Sequence, residues 1–285
     1  MEYINLNDGN KMPMLGFGVF QVPDFKQARQ AVTDAIDVGY RLFDTAAAYQ
    51  NEAAVGESIN KSGIDRSEFF VTSKLWLDHF TYEKAKAGIE DSLRKLNMDY
   101  MDLYLLHQPY GDVYGAWRAL EEAQKSGKIK SIGVSNFYPD QVKNLELMSS
   151  VKPAVNQIEV SPWFQQNDDV NFMQKEDIAV EAWAPFAEGK HDIFTNETLA
   201  KIGEKYGKSN GQVILRWLLQ REIIVIPKTV HKARMQENFD VFDFKLSQDD
   251  METISKLDRH ESQFFDHHDP VAIESIFGSS LRALR

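Results

Sequence analysis

Eight short, largely apolar segments alternate with stretches whose apolar residues recur every three to four positions, and this alternation constrains the fold more than any other feature of the 285-residue chain. The segments are Met14–Phe20, Arg41–Asp44, Phe69–Lys74, Asp102–Leu106, Ser131–Val134, Ala154–Ile158, Ile178–Trp183 and Ile223–Ile226. Runs of that length read as strands buried on both faces, which points to a parallel sheet covered by helices. Between them lie the helical patterns. Asp24 caps a helix that carries Ala28, Ala31, Val32, Ala35 and Ile36 on one stripe and stops at Gly39. Glu52–Lys61, Tyr82–Leu96, Val113–Lys125, a helix opened by Pro139, Val170–Lys175, Thr198–Tyr206 and Gly211–Gln220 follow. Ser247 reads as the cap of a last helix, with Asp250 placed for a capping box. Eight strand–helix units in about 250 residues make an α/β fold of the (β/α)8 TIM-barrel type. Ahead of them, the alternating flanks of Asp8-Gly9 predict a small N-terminal β-hairpin. No linker or low-complexity stretch divides the chain, so residues 1–285 read as one barrel domain.

Composition narrows the function. Hydrophobic residues make up 43% of the chain, enough for a large core without covalent staples. The lack of cysteine removes disulfides, thiolate metal sites and thiol nucleophiles, and suits a reducing compartment. The N-terminus is neither basic nor apolar, and no window approaches the roughly 20 apolar residues of a membrane span, so a cytoplasmic protein without membrane contact is expected. With 43 acidic against 32 basic side chains and a net charge of −11, nucleic acid is an unfavourable partner. One short basic cluster, Lys228, His231, Lys232 and Arg234, has the size of a phosphate site rather than a duplex site. The expected partner is a small molecule, and the chain itself is expected to be a monomer or weak homodimer.

In a barrel of this kind the active site lies at the C-terminal ends of the strands. Asp44, Lys74 and His107 end three successive strands, and Tyr49 follows Asp44 in the same loop. A tyrosine hydroxyl titrates near 10 in water, and a neighbouring ammonium stabilises its phenolate and makes it a better acid. Lys74 could supply that charge, Asp44 could hold and balance Lys74, and His107 could hydrogen-bond a substrate oxygen. Such a set suits carbonyl reduction if another group delivers hydride. Phe20 and Trp76, just after the first and third strands, read as substrate-pocket aromatics, with plain core as the alternative.

Two other signals are set aside. Tyr82 and Lys86 have the Tyr-x-x-x-Lys spacing of a Rossmann-type reductase, but Gly16 and Gly18 are followed by Gln21 where a dinucleotide fingerprint needs glycine. Asp266, His267, His268 and Asp269 are adjacent residues, which rarely point at one ion, and no metal is expected.

The stretch Gly39-Tyr40-Arg41-Leu42-Phe43-Asp44-Thr45-Ala46, with Tyr49, Asn51 and Glu52, resembles the aldo-keto reductase signature. Met12–Gly18, Leu105–Pro109, Ile132–Phe137, Val155–Glu159 and Ile226–Val230 resemble further motifs of that family in the family's order, so the likeness covers roughly residues 3–258. The small bacterial aldehyde and diketogluconate reductases are the members it looks most like.

The resemblance implies a tetrad of Asp44, Tyr49, Lys74 and His107, with Tyr49 protonating a carbonyl oxygen as NADPH reduces the carbon. It implies that Ser135, Asn136 and Gln157 bond the carboxamide of the nicotinamide and that Trp183, where many members have Tyr, stacks on its ring. Lys228, Thr229 and Arg234 would grip the adenosine 2′-phosphate, and Glu237 and Asn238 would contact the adenine. Gly18, Val19, Phe20, Pro185, Phe186 and Val230 complete the implied cofactor contacts. Substrate would meet Phe20, Trp76 and His107, with small aldehydes, α-dicarbonyls or keto-sugars as the expected class. The tail from Arg259 to Arg285 resembles a loop that closes over substrate, and packing against the barrel explains its aromatics equally well. A barrel that binds NADPH as a sensor, without turnover, is the reading from a different class.

Overall fold

The computed structural model of the chain describes residues 1–284. A hairpin of β1 (Tyr3–Asn5) and β2 (Lys11–Pro13) precedes eight parallel strands: β3 (Gly16–Gly18), β4 (Leu42–Asp44), β5 (Phe70–Leu75), β6 (Met101–Leu106), β7 (Ile129–Ser135), β8 (Val155–Glu159), β9 (Ala179–Trp183) and β10 (Ile223–Val225). Each strand pairs with its neighbours in sequence, from β3 through to β10. The ring closes between β10 and β3 through a single parallel bridge, Leu15 to Val225. Two hydrogen bonds support that closure, Val225 N to Met14 O at 2.9 Å and Gly18 N to Pro227 O at 3.3 Å. Pro227 has no N–H to return, so the ladder cannot continue past it.

Side-chain alternation along the strands explains both cores. Residues of one parity face outward: Phe43, Val71, Tyr104, Ile132 and Val180 pack with the inward stripes of the helices in the large outer core. Residues of the other parity fill the barrel. Leu42, Phe70, Leu103, Leu105, Val155, Ala179 and Ile224 form an inner core, which the hairpin closes from below with Leu6 and Met12. Followed along the strands, that inner parity turns polar: Leu42 gives way to Asp44, Phe70 to Thr72 and Lys74, Val155 to Gln157, Ala179 to Glu181. The sequence therefore places apolar filling at the strand starts and chemistry at the strand ends.

The helices largely follow the expected stripes. α1 (Phe25–Val38) buries Ala28, Ala31, Val32, Ala35 and Ile36; Asp24 accepts from Gln27 N at its start, and Gly39 ends it with φ +120°. α2 (Glu52–Lys61), α3 (Tyr82–Leu96), α4 (Val113–Lys125), α5 (Pro139–Met148), α6 (Asn167–Lys175), α7 (Glu197–Tyr206) and α8 (Asn210–Gln220) complete the outer ring.

Three features differ from the expectation. The first strand pairs over Gly16–Gly18 rather than over Met14–Phe20, because its partner ladder is short. The basic cluster lies at the start of a helix of its own, α9 (Lys232–Phe239). The helix capped by Ser247, α10 (Gln248–Ser255), is not the last, since α11 (Pro270–Arg282) follows with Asp269 as its N-cap. At α10 the Ser247 hydroxyl accepts from the Asp250 N–H at 3.2 Å, as befits a cap, but the Ser247 N–H goes to the Tyr206 hydroxyl instead of completing a box. Among the described residues no helix is long and apolar enough to cross a membrane.

Candidate active site

Asp44 and Lys74 stand on adjacent strands, and their side chains meet inside the barrel mouth. The Lys74 Nζ donates to Asp44 Oδ1 at 2.6 Å, to the Thr45 carbonyl at 3.0 Å and to the Tyr49 hydroxyl at 3.4 Å. A short 3-10 turn, Ala47–Tyr49, brings the tyrosine back over the strand end. His107 follows β6, and its ring packs edge-on against Tyr49 at 5.6 Å and against Trp76 at 5.0 Å. Phe20 meets Tyr49 at 5.0 Å from the other side. The four residues expected to converge do so.

Their surroundings set their protonation. Burial acts against the Lys74 ammonium, but Asp44 and Tyr49 outweigh it and raise the lysine, which stays charged. Burial pushes the Tyr49 phenol up; Lys74 pulls it down, and Asp44 pushes it up again. The net direction is upward, so the acidification expected from Lys74 is present as an effect but is outweighed by desolvation. At neutral pH Tyr49 keeps its proton. Burial, and then the Lys74 charge, hold His107 well below its ordinary range, so its imidazole is neutral.

These side chains open on a cavity of ≈ 660 Å³. Of the expected cofactor residues, Gly18, Phe20, Ser135, Asn136, Gln157, Trp183, Pro185, Phe186, Lys228 and Arg234 line it. Val19, Thr229, Val230, Glu237 and Asn238 lie outside that lining; Val19 is buried, and the Glu237 carboxylate takes the Ser209 hydroxyl. Lys228 and Arg234 have no carboxylate within ion-pair distance among the described residues, whereas Lys232 is paired with Asp34 and Asp37. That leaves two unneutralised cations at the cavity, as a dianionic phosphate requires.

The amides of the floor differ in what they leave free. Asn136 Oδ1 accepts from the Trp183 indole at 2.8 Å, and its Nδ2 donates to the His107 carbonyl and to Ser135 Oγ at 3.1 Å each. Both amide hydrogens of Asn136 are therefore committed, while its oxygen keeps one further acceptor site. Gln157 commits its nitrogen to Asp44 Oδ2 at 2.9 Å and to Glu181 Oε2 at 2.7 Å, and no group among the described residues donates to its oxygen. Glu181 was missed at the level of sequence. Its signal was there: an acidic residue in mid-strand, on the same parity as Trp183.

The tail forms one wall. Phe264 packs on Trp183 at 5.2 Å, and Phe277, only 2% exposed, lies against Trp76, Tyr110 and Phe265. The Trp76 indole donates to Ser280 Oγ at 3.0 Å. Phe265, His267 and Ile276 also line the cavity, so the tail both packs on the barrel and borders the site. Of the two discounted motifs, Asp266–Asp269 contributes His267 to this lining, and the Tyr82/Lys86 pair stays apart from it. Tyr82 and Lys86 bond Glu122 on the outer ring, and no group of three or more metal-ligating side chains occurs among the described residues.

The description Aldo/keto reductase family belongs to the model that matches residues 14–259. The chain is a member of that family. It is 45% identical to the glyoxal reductase of Bacillus subtilis strain 168, over 91% of this chain and 94% of that protein. It is 41% identical to the methylglyoxal reductase of Escherichia coli strain K12, over 90% and 93%. Among solved structures, an aldo-keto reductase of Bombyx mori in complex with NADP superposes with a TM-score of 0.88 at 35% identity, covering 96% of each chain. This aldo/keto reductase is thus an oxidoreductase on a (β/α)8 barrel.

Proposed function

We propose that the protein reduces small aldehydes and α-dicarbonyls to alcohols, with NADPH as reductant and Tyr49 as general acid. The observation that carries this reading is the Asp44–Lys74–Tyr49 chain of contacts, with the phenol at the mouth of the cavity. The relatives named for glyoxal and methylglyoxal support the substrate class, and the NADP complex of the silkworm relative supports the cofactor. The residues fit that group: two free cations suit its phosphate, and an open amide oxygen at Gln157 suits its carboxamide. The absence of cysteine suits the reducing cytoplasm.

When bound, the dinucleotide supplies hydride to the carbonyl carbon. Everything else falls to the chain. Two groups near the substrate oxygen could give it a proton, and their charge states decide between them. The neutral His107 has no acidic proton to spare near pH 7, so it serves as a hydrogen-bond partner that fixes the carbonyl. Tyr49 holds its proton until the oxygen becomes basic, and then transfers it. The phenolate left behind faces the Lys74 ammonium, which Asp44 keeps in place and charged. Phe20, Trp76 and the tail place an apolar wall beside that charge.

The test is a panel of carbonyl substrates, methylglyoxal among them, with NADPH and NADH. Oxidation of NADPH in preference to NADH is the expected result, and tight NADPH binding with no turnover across the panel would identify a sensor instead. Tyr49→Phe should lower kcat by about 10²- to 10⁴-fold while NADPH affinity stays near that of the parent. Equal loss of both would overturn the assigned role.

A further inference from the structure

Glu181 is a buried carboxyl group that the reaction as described does not use. It is 0% exposed, stands on β9 in register with Gln157 of β8, and has one oxygen, Oε1, with no partner. A carboxyl group kept there is costly compared with an apolar side chain of similar size. Its one bond explains what it does. An amide nitrogen has two hydrogens, and those of Gln157 reach Asp44 Oδ2 and Glu181 Oε2. With both committed, a flip of the amide would set its oxygen against two carboxyl oxygens. With Asp44 alone, one hydrogen would be left without a partner and a flip would be opposed by one carboxyl oxygen instead of two.

We propose that Glu181 is a positioning residue that fixes the Gln157 amide with its oxygen towards the cavity, so that the site accepts a primary-amide donor and disfavours a carboxylate in the same place. The inference rests on the reductase reading above, in which that donor is the carboxamide of the nicotinamide. A ring bearing a carboxylate instead would meet the amide oxygen of Gln157, backed by the acidic side chains of Asp44 and Glu181.

The experiment measures affinities by quenching of tryptophan fluorescence, with NADPH and with 2′-phospho-ADP-ribose, which keeps the phosphate and lacks the nicotinamide. Glu181→Leu should weaken NADPH by about tenfold, the scale of one hydrogen bond, and leave 2′-phospho-ADP-ribose within about twofold. Glu181→Gln should restore NADPH binding, because its amide oxygen can accept where the carboxyl did. Both variants remove the carboxyl group, so this rescue separates the need for a hydrogen-bond acceptor from the need for the acid itself. Equal weakening of both probes, no weakening of either, or failure of Glu181→Gln to rescue overturns the proposal. The parent protein offers a check that needs no variant: the nicotinic acid analogue of NADPH should bind about tenfold more weakly or worse, and equal affinity also overturns it. A parent protein that binds neither NADPH nor 2′-phospho-ADP-ribose would sink the reductase reading itself, which is a distinguishable result.

Discussion

Lys74 spends all three of its ammonium hydrogens inside the barrel, on a carboxylate, a carbonyl and a phenol. Removing one partner of such a buried pair is more damaging than removing both, because the survivor keeps its charge without compensation. Lys74→Met should therefore cost about 3–5 kcal/mol in urea unfolding and abolish measurable turnover. Adding Asp44→Asn should recover much of the stability and none of the turnover; recovery of both would refute the role given to the lysine. The tetrad was legible because each member ends a strand or follows one, where an apolar run stops abruptly at a polar residue. Glu181 was not legible in the same way. Its partner Gln157 lies 24 positions earlier, and only the register of β8 against β9 brings the two together.

Elements were legible where a buried stripe defines them and less so where it does not. α1 and α3 follow their apolar periodicity closely, whereas α11 buries only Phe277 and Gly278 and leaves Val271 and Ile276 exposed. Its hydrophobic residues are shared between the barrel and the cavity, so no single face appears in the sequence. The cap and first turn, Asp269-Pro270, were the remaining signal. Helix contacts show a sharper constraint. A Cβ built on Gly56 of α2 would lie 2.0 Å from the carbonyl oxygen of Leu96 at the end of α3. The obstacle is backbone, so the two helices must separate to admit even a methyl group. Gly56→Ala should lower stability by about 1–3 kcal/mol or more, read as a drop of several degrees in Tm, with NADPH affinity unchanged in the folded fraction. An unchanged Tm would mean that the α2–α3 contact is looser than described.

Across the whole molecule, buried titrating groups pull stability in opposite directions with pH. Burial, and then Asp44, push Glu181 up to about 8 from an ordinary 4.5. Between those values the unfolded chain has ionised this group while the folded chain still holds the proton, so stability falls as pH rises. Burial lowers His267 from 6.5 to about 4 and lowers His107 as well. For these the unfolded chain binds protons first, so acidification below 6.5 destabilises. The two effects oppose each other below pH 6.5, and Glu181 prevails above it. Tm should decline from pH 6.5 to 8, and Glu181→Gln should flatten that decline; an equal slope in parent and variant would exclude Glu181 as its source.

The barrel's ring is also unequal around its circumference. Seven of its joints are strand ladders, and the eighth is one bridge and two hydrogen bonds beside Pro227. Gly18 and Ile226 border both that joint and the cavity, and Lys228 follows directly. The wall of the cavity is therefore held by the fewest backbone hydrogen bonds along this one line, on the side where Lys228 leads into the basic cluster.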